Sequence, residues 1–423
     1  MRLMLLFAAL AAASPASWGQ PASRPITLTE AFARAEEASP ALAAALAARA
    51  AAEGESEDAA ALLPANPEIS VGQARREGFD AAGLASTFRE SAIGITQKFE
   101  IAGQPSHRRQ AAQHTLTAVN AEIAAARLRV HAEVKGAFAQ VLLLQRRLDA
   151  ERANMALAEE AASVVGKRVA AGEDARLDGN LAAVEAERAR NQVSTVQERL
   201  VAARARLAAL VQWPVGEFPR AAGEVAVRLP PYRLEDLLAR AAERPELAAL
   251  REREDAAQSR LELERASAFP DVSVGLASVR EGPADLRERA TTLTFSVPLP
   301  LFQRNRAGIG RAVTERDRAR IEREAAVRDG QAKVREQWER LASLQARVAR
   351  LAQSVLPRLD DNLSLAIRSY RAGESGILQL LLVNRQALDA RRDYLEALDE
   401  FTQARIALEL VAAIAPSSPG TRP

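Results

Sequence analysis

PSHRRQAAQHTLTAVNAEIAAARLRVHAEVKGAFAQVLLLQRRLDAERANMALAEEAASVVGKRV, running from Pro105 to Val169, is the stretch on which the reading of this chain turns. Its only glycines are Gly136 and Gly166, and no proline follows Pro105. Apolar or small residues recur at Leu116, Val119, Ile123, Ala126, Val130, Val134, Ala137, Val141, Leu144 and Leu148, then at Met155, Ala158, Ala162, Val165 and Val169. The steps are mostly three and four, the spacing of a heptad seam on one helix face. A continuous helix of this length is roughly 95 Å long at 1.5 Å of rise per residue. Its apolar stripe has to be covered from end to end, so other elements must lie alongside it.

The composition agrees. Of 423 residues only 4% are aromatic, while alanine, arginine, leucine and glutamate dominate, which suits long helices. Lys+Arg and Asp+Glu nearly cancel, 57 against 55, and the charges interleave along helix faces. There is no net field to draw in nucleic acid, and the charges read as solvated helix surface. The absence of cysteine excludes disulfides, thiolate metal sites and a lipidated N-terminal cysteine. Arg2 followed by the apolar run Leu3 to Ala13 reads as an export signal over residues 1–19, with small residues at Ser14 and Ala16, or Ser17 and Gly19, to be cut after. That run is too short to span a bilayer, and no later helix-like stretch is apolar enough to do so.

Outward from the long helix, the chain reads as a duplication. Before it, Ile26 to Phe32 opens a helix with Thr29 as the expected N-cap, a break near Ser39-Pro40 and an end before Pro64. Asn66 to Gly72 is strand-like, a glycine-rich linker is expected around Gly78 and Gly83, and Thr87 to Ile101 is a second strand-like run. After the long helix come a turn at Ala171-Gly172-Glu173-Asp174, a helix from Leu177 to Val211, and a stop at Trp213-Pro214. The second half replays this order: Tyr232 to Leu238 opens a helix, Arg244-Pro245 breaks it, and strand-like runs cover Asp271 to Val279 and Thr291 to Leu301. A second long helix is expected from Asn305 to Tyr370, then a turn at Arg371 to Ser375 and a last helix from Leu378 to Ile414. The expected organisation is a first repeat over 20–220, a second over 221–415, and a serine- and proline-rich disordered tail over 416–423. Pro357 is expected to kink the second long helix, where the first has Ala156.

In the strand-like runs Leu293, Phe295 and Val297 alternate with Thr292, Thr294 and Ser296, and Ile93, Ile95 and Phe99 with Gly94, Thr96 and Lys98. Val272, Val274 and Leu276 alternate in the same way with Asp271, Ser273 and Gly275. This pattern fits a transmembrane barrel strand and a half-buried soluble strand equally. Four strands cannot close a barrel alone, and an open sheet in lipid leaves backbone groups unpaired. A cyclic oligomer would close the sheet and also give the helices lateral neighbours.

The duplicated pattern, Ile93 to Phe99 before the first long helix, Ser296 to Phe302 before the second, Arg371-Ala372-Gly373-Glu374 and Arg391 to Ala397 together resemble the TolC family of outer-membrane efflux proteins over nearly the whole mature chain. Val297 to Arg306 is similar to the cobalt–zinc–cadmium branch. The resemblance implies a mainly α fold with a small β part. Long antiparallel helical hairpins would form an α-barrel tunnel, and four strands from each chain of a homotrimer would close a 12-stranded β-barrel. It also implies a passive exit duct in the outer membrane of a Gram-negative bacterium, reaching into the periplasm. The implied partners are outer-membrane lipid, a periplasmic adaptor (membrane fusion protein) and an inner-membrane RND-type pump, with metal cations as first cargo and drugs or other small molecules as second.

No nucleophile–base spacing, phosphate loop or dinucleotide fingerprint occurs, so no enzyme and no cofactor is expected. His107 and His114 are two helical turns apart, about 10.5 Å, too far to chelate one ion, and no metal site is expected. The tip loops Ala171 to Leu177 and Ala372 to Leu378 lie far from the strands, where the resemblance places adaptor docking. Gly172 and Gly373 would make the turns, with Glu173, Asp174, Arg176, Glu374 and Ser375 exposed. Asp178 and Asp389 are aperture candidates by location, since acidic side chains there would favour cations. Two other readings stay open at this point: a periplasmic adaptor, which usually carries one hairpin and short β domains, and an exported coiled-coil scaffold with no pore.

Overall fold

The structure, a computed structural model, describes residues 24–79, 82–225, 232–282 and 287–414. The expected signal over 1–19 and the expected tail over 416–423 lie outside the described residues.

The chain begins with β1 (Pro25–Ile26) and α1 (Leu28–Ala38). Thr27 caps α1 rather than Thr29, its Oγ1 accepting the Glu30 N–H at 3.2 Å. The reason is backbone: Thr27 is extended, as an N-cap must be, while Thr29 already lies inside the helix. Ser39 turns the chain into α2 (Pro40–Ala60), with Pro40 in the first turn, where a missing N–H costs nothing. Next come β2 (Glu68–Phe79), β3 (Ala85–Phe99), the long α3 (Gln104–Ala170), α4 (Arg176–Leu210) and β4 (Arg220–Ala221). The same order then recurs as α5 (Leu234–Ala242), α6 (Pro245–Ala266), β5 (Val272–Glu281), β6 (Glu288–Ser296), α7 (Arg306–Arg350), α8 (Leu356–Arg371) and α9 (Ile377–Val411).

All fifteen seam positions picked out on α3 are buried or half-buried. They are covered by different neighbours at different heights. Near the strands α3 meets α6, where Arg253 reaches Glu122 at 2.6 Å. At mid-length Lys135 pairs with Glu409 of α9, and Val134, Val141 and Leu148 share a core with Phe32, Val196, Leu200, Leu207 and Trp213. Lower down Arg190 of α4 holds Glu159 at 2.7 Å. At the far end Ala161 and Val165 pack with Ala182, Ala366, Ile377 and Leu380, which ties both hairpin tips into one cluster. A matching core around Leu237, Val334, Leu341, Val348, Leu398 and Phe401 joins α5, α7 and α9.

β1 and β4 pair in parallel, Ile26 opposite Ala221. Gln145 of α3 fastens this pair by donating to the Ala221 carbonyl at 3.0 Å and accepting the Ala221 N–H at 3.1 Å. The other four strands form one antiparallel sheet in the order β2-β3-β5-β6. Gly78, expected in a linker, lies inside β2, because the pairing from Glu68↔Thr96 to Phe79↔Ala85 carries the strand through it. On the other hairpin the regular strand ends earlier than expected, at Ser296, since Val297 and Pro298 have no partner residue in the register. A proline has no N–H to give to a ladder.

Pro357 does interrupt the second rod. The structure absorbs it in a π-helical turn, Leu351–Val355, in which the Leu356 N–H bonds to the Leu351 carbonyl. Widening the turn by one residue removes the steric conflict between the proline ring and the preceding turn. α3, without a proline there, runs on unbroken.

Gly330 of α7 is a close-approach position. A Cβ there would stand 2.1 Å from Nη1 of the buried Arg244, whose Nη2 donates to the Ala326 carbonyl at 2.9 Å. Gly330→Ala should therefore cost about 1 kcal/mol net, as the lost charged hydrogen bond outweighs the gain in helix propensity. In an Arg244→Ala background the same change should instead stabilise by about 1 kcal/mol. Thermal unfolding of the four proteins measures the change of sign.

Candidate functional site

The candidate functional surfaces lie at the two ends of the molecule. At the sheet end, the register places Ile69, Ile95, Leu276 and Leu293 in one row and Val274 beside Phe295 in the next. These residues share one face because side chains alternate along a strand. The face is bare: Ile69 is 72% exposed, Leu293 59% and Phe295 67%. A continuous apolar surface across four strands marks a contact with lipid or protein. The other face carries Ser70, Gly72, Thr96, Gly275, Thr292 and Thr294. Arg76 pairs there with Glu90 at 3.1 Å and Lys98 with Asp271 at 2.7 Å, while Glu281 and Glu288 stand directly opposite each other near the hairpin end.

At the opposite end the tips are two copies of one motif. The Gly172 N–H bonds to the Val169 carbonyl at 3.1 Å and the Glu173 N–H to the Arg168 carbonyl at 2.9 Å. The second tip repeats this with Gly373 to Tyr370 at 3.0 Å and Glu374 to Ser369 at 2.9 Å. This Schellman pattern needs a left-handed residue, and Gly172 (φ 77°) and Gly373 (φ 75°) supply it. Glu173, Arg176 and Glu374 are exposed, as expected. Asp174 and Ser375 are not: both are half-buried, and Asp174 is drawn in by Arg168 at 2.9 Å. Burial, and secondarily Asp174, push the Tyr370 hydroxyl above the usual phenol range.

Asp178 and Asp389 do not come together. Asp178 is in the first turn of α4, while Asp389 lies about 18 Å into α9, exposed and 3.2 Å from Arg392. At that level the decisive contact is one that local sequence cannot show. Arg392 of α9 holds Glu151 of α3 in a two-pronged pair, Nε to Oε1 at 2.7 Å and Nη2 to Oε2 at 2.8 Å. Glu151 is 1% exposed, and the hydrogen bonds to it hold the Arg392 guanidinium above its ordinary range. One step nearer the tip, Asn384 donates to Asn154 at 2.7 Å. The partners are more than two hundred positions apart; the only trace in the sequence is an acid inside the apolar seam.

The sequence offers the histidines no neighbouring Cys or His to complete a metal site. The structure sets Glu252 and Asp255 of α6 beside His114, their donor atoms within 4.8 Å of one another. His114 Nδ1 and Glu252 Oε2 are 2.8 Å apart, a hydrogen-bond length. Two donors on one tetrahedral ion would stand about 3.3 Å apart. The trio is a hydrogen-bonded pair with a neighbouring acid.

An elongated helical body ending in a small sheet with a bare apolar face is the build of a protein that meets a membrane or a partner at that end. Residues 32–211 and 238–413 match the model of the family "Outer membrane efflux protein". The chain therefore belongs to the outer membrane efflux protein family and is an outer-membrane protein. It is 28% identical over 324 residues to the cobalt-zinc-cadmium resistance protein CzcC of Cupriavidus metallidurans, covering 76% of this chain and 77% of that one. Its fold is similar to that of a membrane protein from Pseudomonas aeruginosa, with a TM-score of 0.77 at 20% identity over 91% of this chain and 92% of that one. It is also similar to CusC, with a TM-score of 0.75 at 17% identity over 91% of each chain. VceC of Vibrio cholerae gives 0.73 at 19% identity over 91% of this chain and 95% of that one. The family match sets aside the adaptor and scaffold readings.

Two outcomes test the body of the molecule. Arg392→Met should destabilise by about 3 kcal/mol, because it strands a buried carboxylate, and adding Glu151→Gln should recover most of the loss. Denaturant unfolding of the single and double variants reads this. Burial pushes the Asp399 carboxyl up, ahead of smaller effects of Glu400 and Glu396. A raised carboxyl favours the folded state only while protonated, so its cost grows as pH rises from the ordinary carboxylate value toward the raised one. Asp399→Asn should therefore stabilise at pH 7, and the gain should vanish below about pH 4 in thermal unfolding across pH.

Proposed function

We propose that three copies of this chain close a single β-barrel and continue it as a helical tunnel, a passive exit duct for an inner-membrane RND-type pump joined through a periplasmic adaptor. The observation that carries this is the open sheet. β2 and β6 are both edges, and a sheet with one bare apolar face cannot lie in lipid with its edge N–H and C=O groups unpaired. Pairing β2 of one copy with β6 of the next removes every edge. Apolar side chains then face lipid, and Thr96, Thr292, Thr294, Glu281 and Glu288 face the lumen.

The tips, with Gly172, Glu173, Arg176, Gly373 and Glu374 exposed at the end remote from the sheet, are the proposed adaptor contact. Heavy-metal cations are the proposed cargo. This rests on the likeness to CzcC and on the facing acids Glu281 and Glu288, which favour cations in a water-filled lumen. A metal ion is here a passenger, and no resident site is needed.

Detergent-purified protein should show a trimer mass and stable single-channel steps in a planar bilayer; a water-soluble monomer that never inserts would sink the duct. Glu281→Gln with Glu288→Gln should lower cation over anion selectivity in the same recording. Loss of the gene should sensitise cells to zinc, cobalt or cadmium, and sensitisation to drugs alone would remove the metal reading while leaving the duct.

A further inference from the structure

Each strand of the sheet, followed along its apolar face toward the hairpin end, passes through the same three steps. β2 reads Val71, Gln73, Arg75; β3 reads Ile93, Ser91, Arg89; β5 reads Leu276, Ser278, Arg280; β6 reads Leu293, Thr291, Arg289. An apolar residue, a small or neutral polar one and an arginine thus recur four times on one face. Arg75 stands directly opposite Arg89, and Arg280 directly opposite Arg289. Arg280 also faces Ser91, two residues from Arg89, so the four guanidiniums form one patch across all four strands.

Like charges placed directly across a strand pair repel. Here the arrangement occurs twice, and no carboxylate among the described residues forms an ion pair with it. All four arginines are exposed, and among the described residues none takes part in an ion pair. Glu77 is on the same face beyond Arg75, a single carboxylate against four cations, and it too is in no ion pair. On the opposite face two charge pairs do form, Arg76–Glu90 and Lys98–Asp271. An anion from outside the chain would complete the patch.

Its depth identifies the source. From Phe99 to Arg89 the strand climbs about 33 Å, or about 25 Å normal to the membrane at a tilt of about 40°. That equals the height of the lipid-facing apolar band of such barrels, which is flanked by aromatic residues like Phe99. The arginines therefore stand at the upper rim of the band, on the side of the hairpins and away from the helices. In bacterial outer membranes the headgroups at that level belong to phosphorylated glycolipid.

We propose that Arg75, Arg89, Arg280 and Arg289 bind the phosphate groups of glycolipid headgroups in the outer leaflet, and so set the depth of the barrel and carry a tightly held lipid ring. Guanidinium matches phosphate with paired hydrogen bonds, and basic clusters flanking an apolar span are anionic-lipid sites. The proposal rests on the lipid-facing assignment of this sheet face under the channel reading.

The test reconstitutes the full-length trimer into phosphatidylethanolamine vesicles containing bis-phosphorylated lipid A or lipid A stripped of its phosphates. Lipid retained after re-extraction is counted by native mass spectrometry. The phosphorylated lipid should be retained and the stripped one lost. Arg75→Gln, Arg89→Gln, Arg280→Gln and Arg289→Gln together should cut retention at least tenfold, while the four lysine replacements keep most of it and Arg76→Gln on the opposite face changes nothing. Excess inorganic phosphate should fail to displace the lipid. Equal retention of both lipids, undiminished retention by the glutamine variant, an equal loss in Arg76→Gln or displacement by inorganic phosphate would overturn the proposal. Single-channel steps in phosphatidylethanolamine bilayers separate the two readings. If the wild type conducts but shows no preference for phosphorylated lipid, the lipid site alone fails; if the wild type does not conduct, the channel reading beneath it fails.

Discussion

One constraint organises this molecule: a helix of 67 residues carries an apolar stripe far longer than any single partner can cover. Water excludes that stripe over its whole length, and the chain answers with a relay. α2 and α6 cover α3 near the strands, α4 and α9 cover it below, and the tips of both hairpins close over its end. Ion pairs at each level fix which partner sits where, from Arg253–Glu122 near the top through Lys135–Glu409 to Arg392–Glu151. The last of these holds a carboxylate almost wholly out of water, which is sustainable only because two guanidinium nitrogens satisfy both of its oxygens. It fixes the register of α9 on α3 in a region where alanine-rich surfaces would slide.

The sheet poses the opposite problem. The rods hide apolar surface within the chain, whereas the strands present it outward and keep their polar side chains on the other face. The two faces also differ in charge: Arg76–Glu90 and Lys98–Asp271 pair on the polar face, while among the described residues the four arginines at one rim of the apolar face take part in no ion pair. This sorting suits a wall between lipid and a wet lumen. The junction between rod and sheet is held by polar contacts. Buried Gln104 donates to the Ala266 carbonyl and to Asp271, and Asn305 donates to the Glu264 carbonyl at 2.9 Å.

The tips show how little is needed to reverse a rod. One left-handed glycine at each, between an alanine and a glutamate in both, returns the chain by the same pair of backbone bonds. The remaining asymmetry between the two rods is equally local: Pro357 demands a π-helical turn on one side, and α3 runs straight through on the other.

Periodicity alone marked the rods, the amphipathic strands, the tip glycines and the breaks at Pro40 and Pro245, because each of these is set by neighbours within a turn or two of the chain. The true cap at Thr27 depends on which residue stays extended, the passage of β2 through Gly78 on its pairing with β3, and the half-burial of Asp174 on Arg168. The same holds for the sites: the exposed tip residues were legible, while the Glu151–Arg392 pair and the acids beside His114 join helices far apart in the chain. The arginine rim was written in the sequence as alternation plus charge, yet only the register shows that four arginines share one face and one edge. The sequence by itself determined the period of every element, and with it which side chains must leave water. The tertiary structure decided what those side chains meet, because a helical or strand pattern specifies a face and only packing selects its partner.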